Sequence, residues 1–155
     1  MSADEKQVLR LWIELLGRSN AIKKDLDARL RAEFGQSLSR FDLLSALHRA
    51  GPEGLRASEL SQFLLVTDGA TSQLTPPLIR EELLEREPCP NDRRSVVFRL
   101  TPQGSALFER MAQSHREWVC ERFEDFSEEE VGTLLALARR IEAPLSRAAK
   151  ERSAA

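Results

Sequence analysis

Residues 86–99 hold Arg86, Arg93, Arg94 and Arg99 against only Glu87 and Asp92. Guanidinium groups at that density neutralise phosphates, and one of them can enter a narrow, electronegative minor groove. Arg94 is the candidate for that insertion, with Arg93 beside it and Asp92 orienting either one through a charge-assisted hydrogen bond. Upstream, TSQLTPPLI (71–79) offers Thr71, Ser72, Gln73 and Thr75. These short hydroxyl and amide side chains can reach base edges, and glutamine can bond adenine in a bidentate manner. Ser58 and Ser61 can donate to phosphates. For each hydroxyl, helix capping is the alternative role.

These residues need a scaffold, and the apolar spacing supplies one. Val8, Leu11, Trp12, Leu15, Leu16, Ile22, Leu26, Leu30 and Phe34 recur at steps of three and four, predicting one long helix over 3–34, closed by Gly35. Its first half, VLRLWIELL, is apolar over a wider arc than one core-facing stripe needs, so either a second chain or a broad internal core covers it. Ser39 is the expected cap of a second helix that ends at Gly51-Pro52, and Ser58 that of a short third one. A tight turn through VTDG, with Thr67 or Asp68 as cap, leads into ATSQL. Two short helices joined by a brief turn make a helix-turn-helix. The period then changes: LLEREP and SVVFRL flank the turn-rich CPNDRR and read as a β-hairpin. Thr101-Pro102 restarts a helix expected to reach Phe126, Ser127 and Glu130 form a capping box for the last one, and Pro144 should kink it. The fold class is mainly α with a small β-hairpin wing.

Two prolines inside the reading segment break the pattern. An interior proline costs a helix about 3 kcal/mol and drives the preceding residue out of the α region. The expectation is a reading helix that ends near Leu74, a bend at Thr75, and a new segment from Pro77 to Leu84.

Composition bounds the function. The chain has 155 residues, 41% hydrophobic and 31% charged, with a net charge of −2. That excludes a uniformly basic coat but not local asymmetry, since FEDFSEEE (123–130) is as acidic as the hairpin is basic. No apolar run approaches the roughly 18 residues of a membrane span and the start lacks a signal peptide's pattern, so the expected location is cytoplasmic. Cys89 and Cys120 are too sparse for a disulfide framework or a paired-cysteine metal site and read as free thiols. No nucleophile motif, phosphate-binding glycine loop or metal-ligand cluster appears, so an enzyme, a cofactor and a metal are not expected.

The segment NDRRSVVFRLTPQG resembles the D-R-R, apolar strand, L-T-x-x-G signature of the MarR family of winged-helix transcriptional regulators. RFDLLSAL, ASELSQFLLVTDG, LLERE and the flanking helices fall in family order across roughly residues 5–146. RFDLLSALHRAGPEGLRASELS with LVTDGATSQLT is similar to the branch that controls catabolism of hydroxycinnamates and related aromatic acids. The resemblance implies a dimerisation helix at 1–35, a winged helix-turn-helix at 36–104, and C-terminal helices at 105–155 that complete the dimerisation region. It implies a homodimer on a pseudo-palindromic DNA operator, acting as a repressor that a small aromatic acid or its CoA thioester releases. An effector cleft needs apolar walls and a few convergent polar groups. Trp12, Arg40, Phe41, Leu44, His48, Phe63, Met111, His115 and Trp118 can supply them, with Arg18, Arg40 or a histidine as partner of an anion. Ordinary packing is the alternative for the tryptophans, and a surface position for the histidines. Pro76, Pro77 and Glu82 depart from the family, which usually has polar or charged residues at the first two places and glycine at the third. Two further readings therefore stay open: an interaction protein that keeps the fold with weakened DNA reading, and a redox-responsive regulator using Cys89, whose thiol pKa Arg93 and Arg94 can lower.

Overall fold

The structure, a computed structural model, describes residues 3–63 and 68–141. The expected turn through Val66 and Thr67, the side chain of Phe63 and the kink at Pro144 lie outside the description. Two compact units emerge, one running through Arg116 and one from Glu117 onward.

In the first unit, α1 (Ala3–Phe34) follows the predicted span, and Gly35 closes it by donating its N–H to Arg31 O at 3.0 Å. Its C-terminal half buries Leu26 and Leu30, whereas its first half leaves Val8, Leu9, Leu11, Trp12, Ile13, Leu15 and Leu16 between 45% and 65% exposed. Helix α2 (Leu38–Ala50) is capped by Ser37 rather than Ser39, with Ser37 Oγ accepting from Arg40 N at 3.2 Å. The cap sits earlier because Asp27 of α1 holds the Leu38 amide at 2.9 Å, which fixes the first turn two residues upstream of Ser39. That contact and the Arg31 guanidinium hold the Asp27 carboxyl below its usual pKa, the Arg31 hydrogen bond being the larger cause.

A single 3-10 turn (Gly51–Glu53) leads into β1 (Leu55–Arg56), a strand the sequence reading missed. Beyond it come α3 (Ala57–Phe63), α4 (Asp68–Arg80), β2 (Leu84–Cys89), β3 (Asp92–Leu100) and α5 (Pro102–Glu121). The wing is thus a three-stranded antiparallel sheet in the order β1-β3-β2, with Leu55 opposite Phe98 and Arg86 opposite Phe98 from the other side. Two residues carry no periodicity, so β1 exists because β3 offers it a ladder. Gly54 admits it: a Cβ there would stand 2.2 Å from Phe98 O. Pro88 is tolerated in β2 because β2 is an edge strand, and a bulge follows it at Cys89.

The core of this unit is built from the fully buried Leu30, Leu43, Leu44, Leu47, Leu60, Leu78 and Met111. Four rings join α2 to α5 in one row: His48 against Phe108 (4.7 Å), Phe108 against Phe41 (5.6 Å) and Phe41 against His115 (4.5 Å). Helix α5 buries Gly104, Phe108, Met111 and Trp118 and exposes Ala106. It ends at Glu121, short of the expected Phe126, and residues 122–125 form a turn. In the second unit, Phe123 and Phe126 meet at 5.9 Å, and Ser127 and Glu130 form the predicted capping box at the start of α6 (Glu128–Arg139). Helix α6 leaves Val131, Leu134, Leu135 and Leu137 exposed. No helix among the described residues is long and apolar enough to cross a membrane.

Candidate nucleic-acid interface

Helices α3 and α4 pack as the predicted helix-turn-helix, but α4 does not bend at Thr75. It is one helix from Asp68 to Arg80 with Pro76 and Pro77 inside it. Burial outweighs the local preference: Thr71, Thr75 and Leu78 share the inward face, and an extended Thr75 would pull Leu78 out of the core. Pro76 is exposed and Pro77 half-buried, so neither ring sits in the core. Neither can donate to the carbonyl four residues back, those of Ser72 and Gln73, and both of these residues are exposed to water.

The helix ends in a Schellman motif. Leu83 N donates to Leu78 O at 2.9 Å and Glu82 N to Ile79 O at 3.0 Å, with Glu82 at φ 58 where the family usually carries glycine. Two clamps then fix this end. Thr101 Oγ1 donates to Glu82 O at 2.6 Å and accepts from Gly104 N at 2.9 Å, so one hydroxyl caps α5 and holds the reading helix. Gly104 is needed there, since a Cβ would lie 2.0 Å from Leu83 O. This joint is the physical content of the L-T-x-x-G signature. In the second clamp, Arg40 Nη1 bonds the Glu81 carboxylate at 3.0 and 3.2 Å and Gln36 Oε1 at 2.9 Å. Arg40, expected as the anchor of an anionic effector, is therefore engaged by Glu81 and Gln36, neither of which the sequence reading singled out. Their acidic and amide character gave no signal without the fold that brings them to Arg40.

The base-reading candidates divide. Ser72 and Gln73 are exposed on the outer face of α4, whereas Thr71 and Thr75 are 3% and 5% exposed and face α3. Ser58 is exposed in the first turn of α3, and is not its cap: Glu59 reaches back to the Arg56 amide at 2.7 Å instead. Ser61 is half-buried and bonded to Ala57 O and Thr71 Oγ1, both at 3.1 Å. A cleft of about 230 Å³ between the two helices is lined by Ser58, Ser61, Thr71, Ser72, Thr75 and Phe98.

In the wing, Arg93 and Arg94 stand exposed at the start of β3, next to the tip. Among the described residues neither side chain has an ion-pair partner. Asp92 Oδ1 accepts from the Arg94 backbone amide at 3.0 Å, so it shapes the tip and does not grip a guanidinium as expected. Arg99 is a strut: it pairs with Glu87 and donates to Pro52 O at 2.8 Å. Cys89 is 7% exposed and Cys120 is exposed; both are free thiols. A reactive thiol needs access, so the buried Cys89 is poorly placed as a redox sensor.

Of the effector candidates, the structure brings Phe41, His48 and His115 together in the aromatic row and adds Phe108, which its i, i+3, i+7 spacing to Met111 and His115 could have revealed. Leu44 and Met111 are core residues, and Trp118 is buried in α5. Trp12 and Arg18 lie on the exposed half of α1, where Arg18 pairs with Glu14. Burial pushes the His115 pKa down and the Asp42 pKa up, while the attraction between the two opposes both shifts. A cleft of about 370 Å³ beside the row is lined by Leu47, His48, Gly51, Pro52, Leu100, Thr101, Pro102 and Ser105.

An exposed reading helix with a cationic β-wing at its flank defines a winged helix-turn-helix DNA-binding protein. Known proteins agree. A family model described as the MarR family matches residues 34–95. The HTH-type transcriptional regulator PecS of Dickeya dadantii is 33% identical over 122 residues, covering 78% of this chain and 73% of that protein. The multiple antibiotic resistance protein MarR of Salmonella typhimurium is 32% identical over 108 residues, covering 66% and 71%. A crystal structure of a MarR family transcriptional regulator from Streptomyces coelicolor in complex with DNA superposes with a TM-score of 0.78 at 26% identity, covering 90% of this chain and 86% of that one. The chain belongs to the MarR family; it is a DNA-binding transcriptional regulator and not an enzyme.

Proposed function

We propose that this regulator is a homodimeric repressor that reads a pseudo-palindromic operator and leaves it when a small aromatic acid, or its CoA thioester, binds. The wing carries the DNA half of the reading: Arg93 and Arg94 are exposed at the tip, positioned to neutralise phosphates and enter the minor groove. Ser72 and Gln73 face the major groove and Ser58 lies near the phosphates, while the Ser61 hydroxyl is taken up by Ala57 O and Thr71 Oγ1. Thr71 and Thr75 support the helix from behind. The dimer reading is supported by the uncovered apolar first half of α1 and by the uncovered apolar face of α6, since contiguous faces of that size are seldom left to water. Continuity of α4 through the prolines supports DNA reading over its weakened alternative.

The effector reading is supported by the aromatic row and the cleft at His48, whose volume suits a single-ring acid, with His48 as the polar partner. Arg40 contributes only if it leaves Glu81. Duplex selection from a random pool, followed by anisotropy titration with and without aromatic acids and their CoA thioesters, tests the whole. A dimeric mass, a selected inverted repeat and release by one ligand class are the expected results. A monomer at binding concentrations, or no selected sequence at low salt, defeats the reading.

A further inference from the structure

We infer that Ser61, Thr71 and Thr75 are positioning residues of the DNA-reading unit, a hydroxyl chain that sets the angle between α3 and α4 and so the discrimination between operator and unrelated DNA. The inference rests on the DNA-reading function and goes beyond it, because none of these side chains needs to touch a base.

Proton counting gives the chain a direction. Ser61 Oγ has one proton and donates it to Ala57 O at 3.1 Å. At the Ser61–Thr71 contact, also 3.1 Å, Thr71 Oγ1 is then the donor. Thr75 Oγ1 donates to Thr71 O at 3.1 Å. Each proton is used once and every hydroxyl of the chain has its place, in agreement with the absence of buried side-chain polar atoms without a partner among the described residues. The path runs from the α3 backbone, through two side chains, onto α4, and then along α4 to the residue immediately before Pro76.

The prolines explain why such a link matters here. They remove two amide donors from the ladder of α4, so less of that helix's rigidity comes from along its own axis. The hydroxyl chain acts from the side, on the face opposite Gln73 and next to Ser72. Tilting α4 against α3 would break the Ser61–Thr71 bond and leave the buried Thr71 hydroxyl without its partner, whereas apolar packing alone would let the helices slide. Ser72 and Gln73 sit next in sequence to Thr71, so a small change of tilt moves them directly.

The test uses the full chain and a duplex that the unaltered protein selects from a random pool, beside an unrelated duplex of equal length. Thr71→Val keeps the shape and removes the hydroxyl. The expected result is a loss of about tenfold in the ratio of selected to unrelated affinity, with the salt dependence unchanged because the wing's phosphate contacts persist. Thr71→Ser should restore the ratio to within about threefold. Ser61→Ala should match Thr71→Val, and the double variant should lose no more than either alone, as members of one unit do. Should Thr71→Val fail to fold, the half-buried Ser61 carries the same measurement. An unchanged ratio, an equal loss on both duplexes, or additive losses in the double variant would overturn the inference. Failure of the unaltered protein to select any sequence would overturn the DNA reading with it, and so is distinguishable from failure of the chain alone.

Discussion

The wing and the reading helix meet the same problem with opposite chemistry. The wing presents exposed Arg93 and Arg94 at its tip and braces Arg99 against Glu87 and Pro52. The reading helix exposes one hydroxyl and one amide, turns two threonines inward, and has no cation until Arg80. Coulombic attraction to phosphate is long-ranged and blind to sequence, whereas hydrogen bonds to base edges are short-ranged and selective. In the proposed reading, affinity and selectivity thus fall to separate elements, joined at the Thr101–Glu82 hydrogen bond.

The largest test of that division is Arg93→Ala with Arg94→Ala. Affinity should fall about 100-fold on every duplex, and the slope of log affinity against log salt should lessen by about 1.8, one phosphate per arginine. A sequence-selective loss would mean that the wing reads bases. Next comes Pro76→Ala with Pro77→Ala, which returns two amide donors to a helix that is already continuous. Denaturant melting should show a gain of up to about 3 kcal/mol, with the selected sequence unchanged. A changed operator preference would show that the prolines tune docking. Gln73→Ala should cost about 1–2 kcal/mol at one base pair of each half-site and leave the salt slope alone. Glu82→Gly relieves the left-handed residue at the helix end and should stabilise the fold by about 1 kcal/mol, read as a shifted urea midpoint.

The smallest effect lies away from both DNA-facing regions. His115 has a folded-state pKa below its ordinary 6.5, chiefly through burial. Just below that pH the unfolded chain binds the extra proton more readily, so the His115 contribution makes stability rise with pH through this window and fall on acidification. Burial of Asp42 acts with the opposite slope, from 3.8 upward to its raised folded value. Urea midpoints from about pH 7 down to about pH 6 should therefore decline in the unaltered protein and decline less in His115→Gln. An identical decline in both would remove His115 as the cause.

Residues differed in how much they disclosed. The long helix to Phe34 and the capping box at Ser127 and Glu130 were legible because periodicity and caps are local signals. The resemblance at NDRRSVVFRLTPQG led to the family that the relatives then established. Strand β1 was not legible, because two residues cannot show a period and its ladder comes from β3. The bend at Thr75 was a sound local expectation that lost to burial: Thr71, Thr75 and Leu78 occupy one inward face only if the helix runs on. Arg40 looked like a ligand anchor because Glu81 lies far away in sequence and only folding puts the two 3.0 Å apart.

The sequence alone determined the helix-turn-helix order, the cationic wing and the wide apolar arc at the start of α1, since each follows from residue type and spacing within one stretch of chain. Tertiary structure decided which arginines remain exposed and which become struts, and which hydroxyls of TSQLT face outward. Those outcomes depend on partners distant in sequence, Glu87, Glu81 and Ser61, and on the cost of leaving a buried polar group without one.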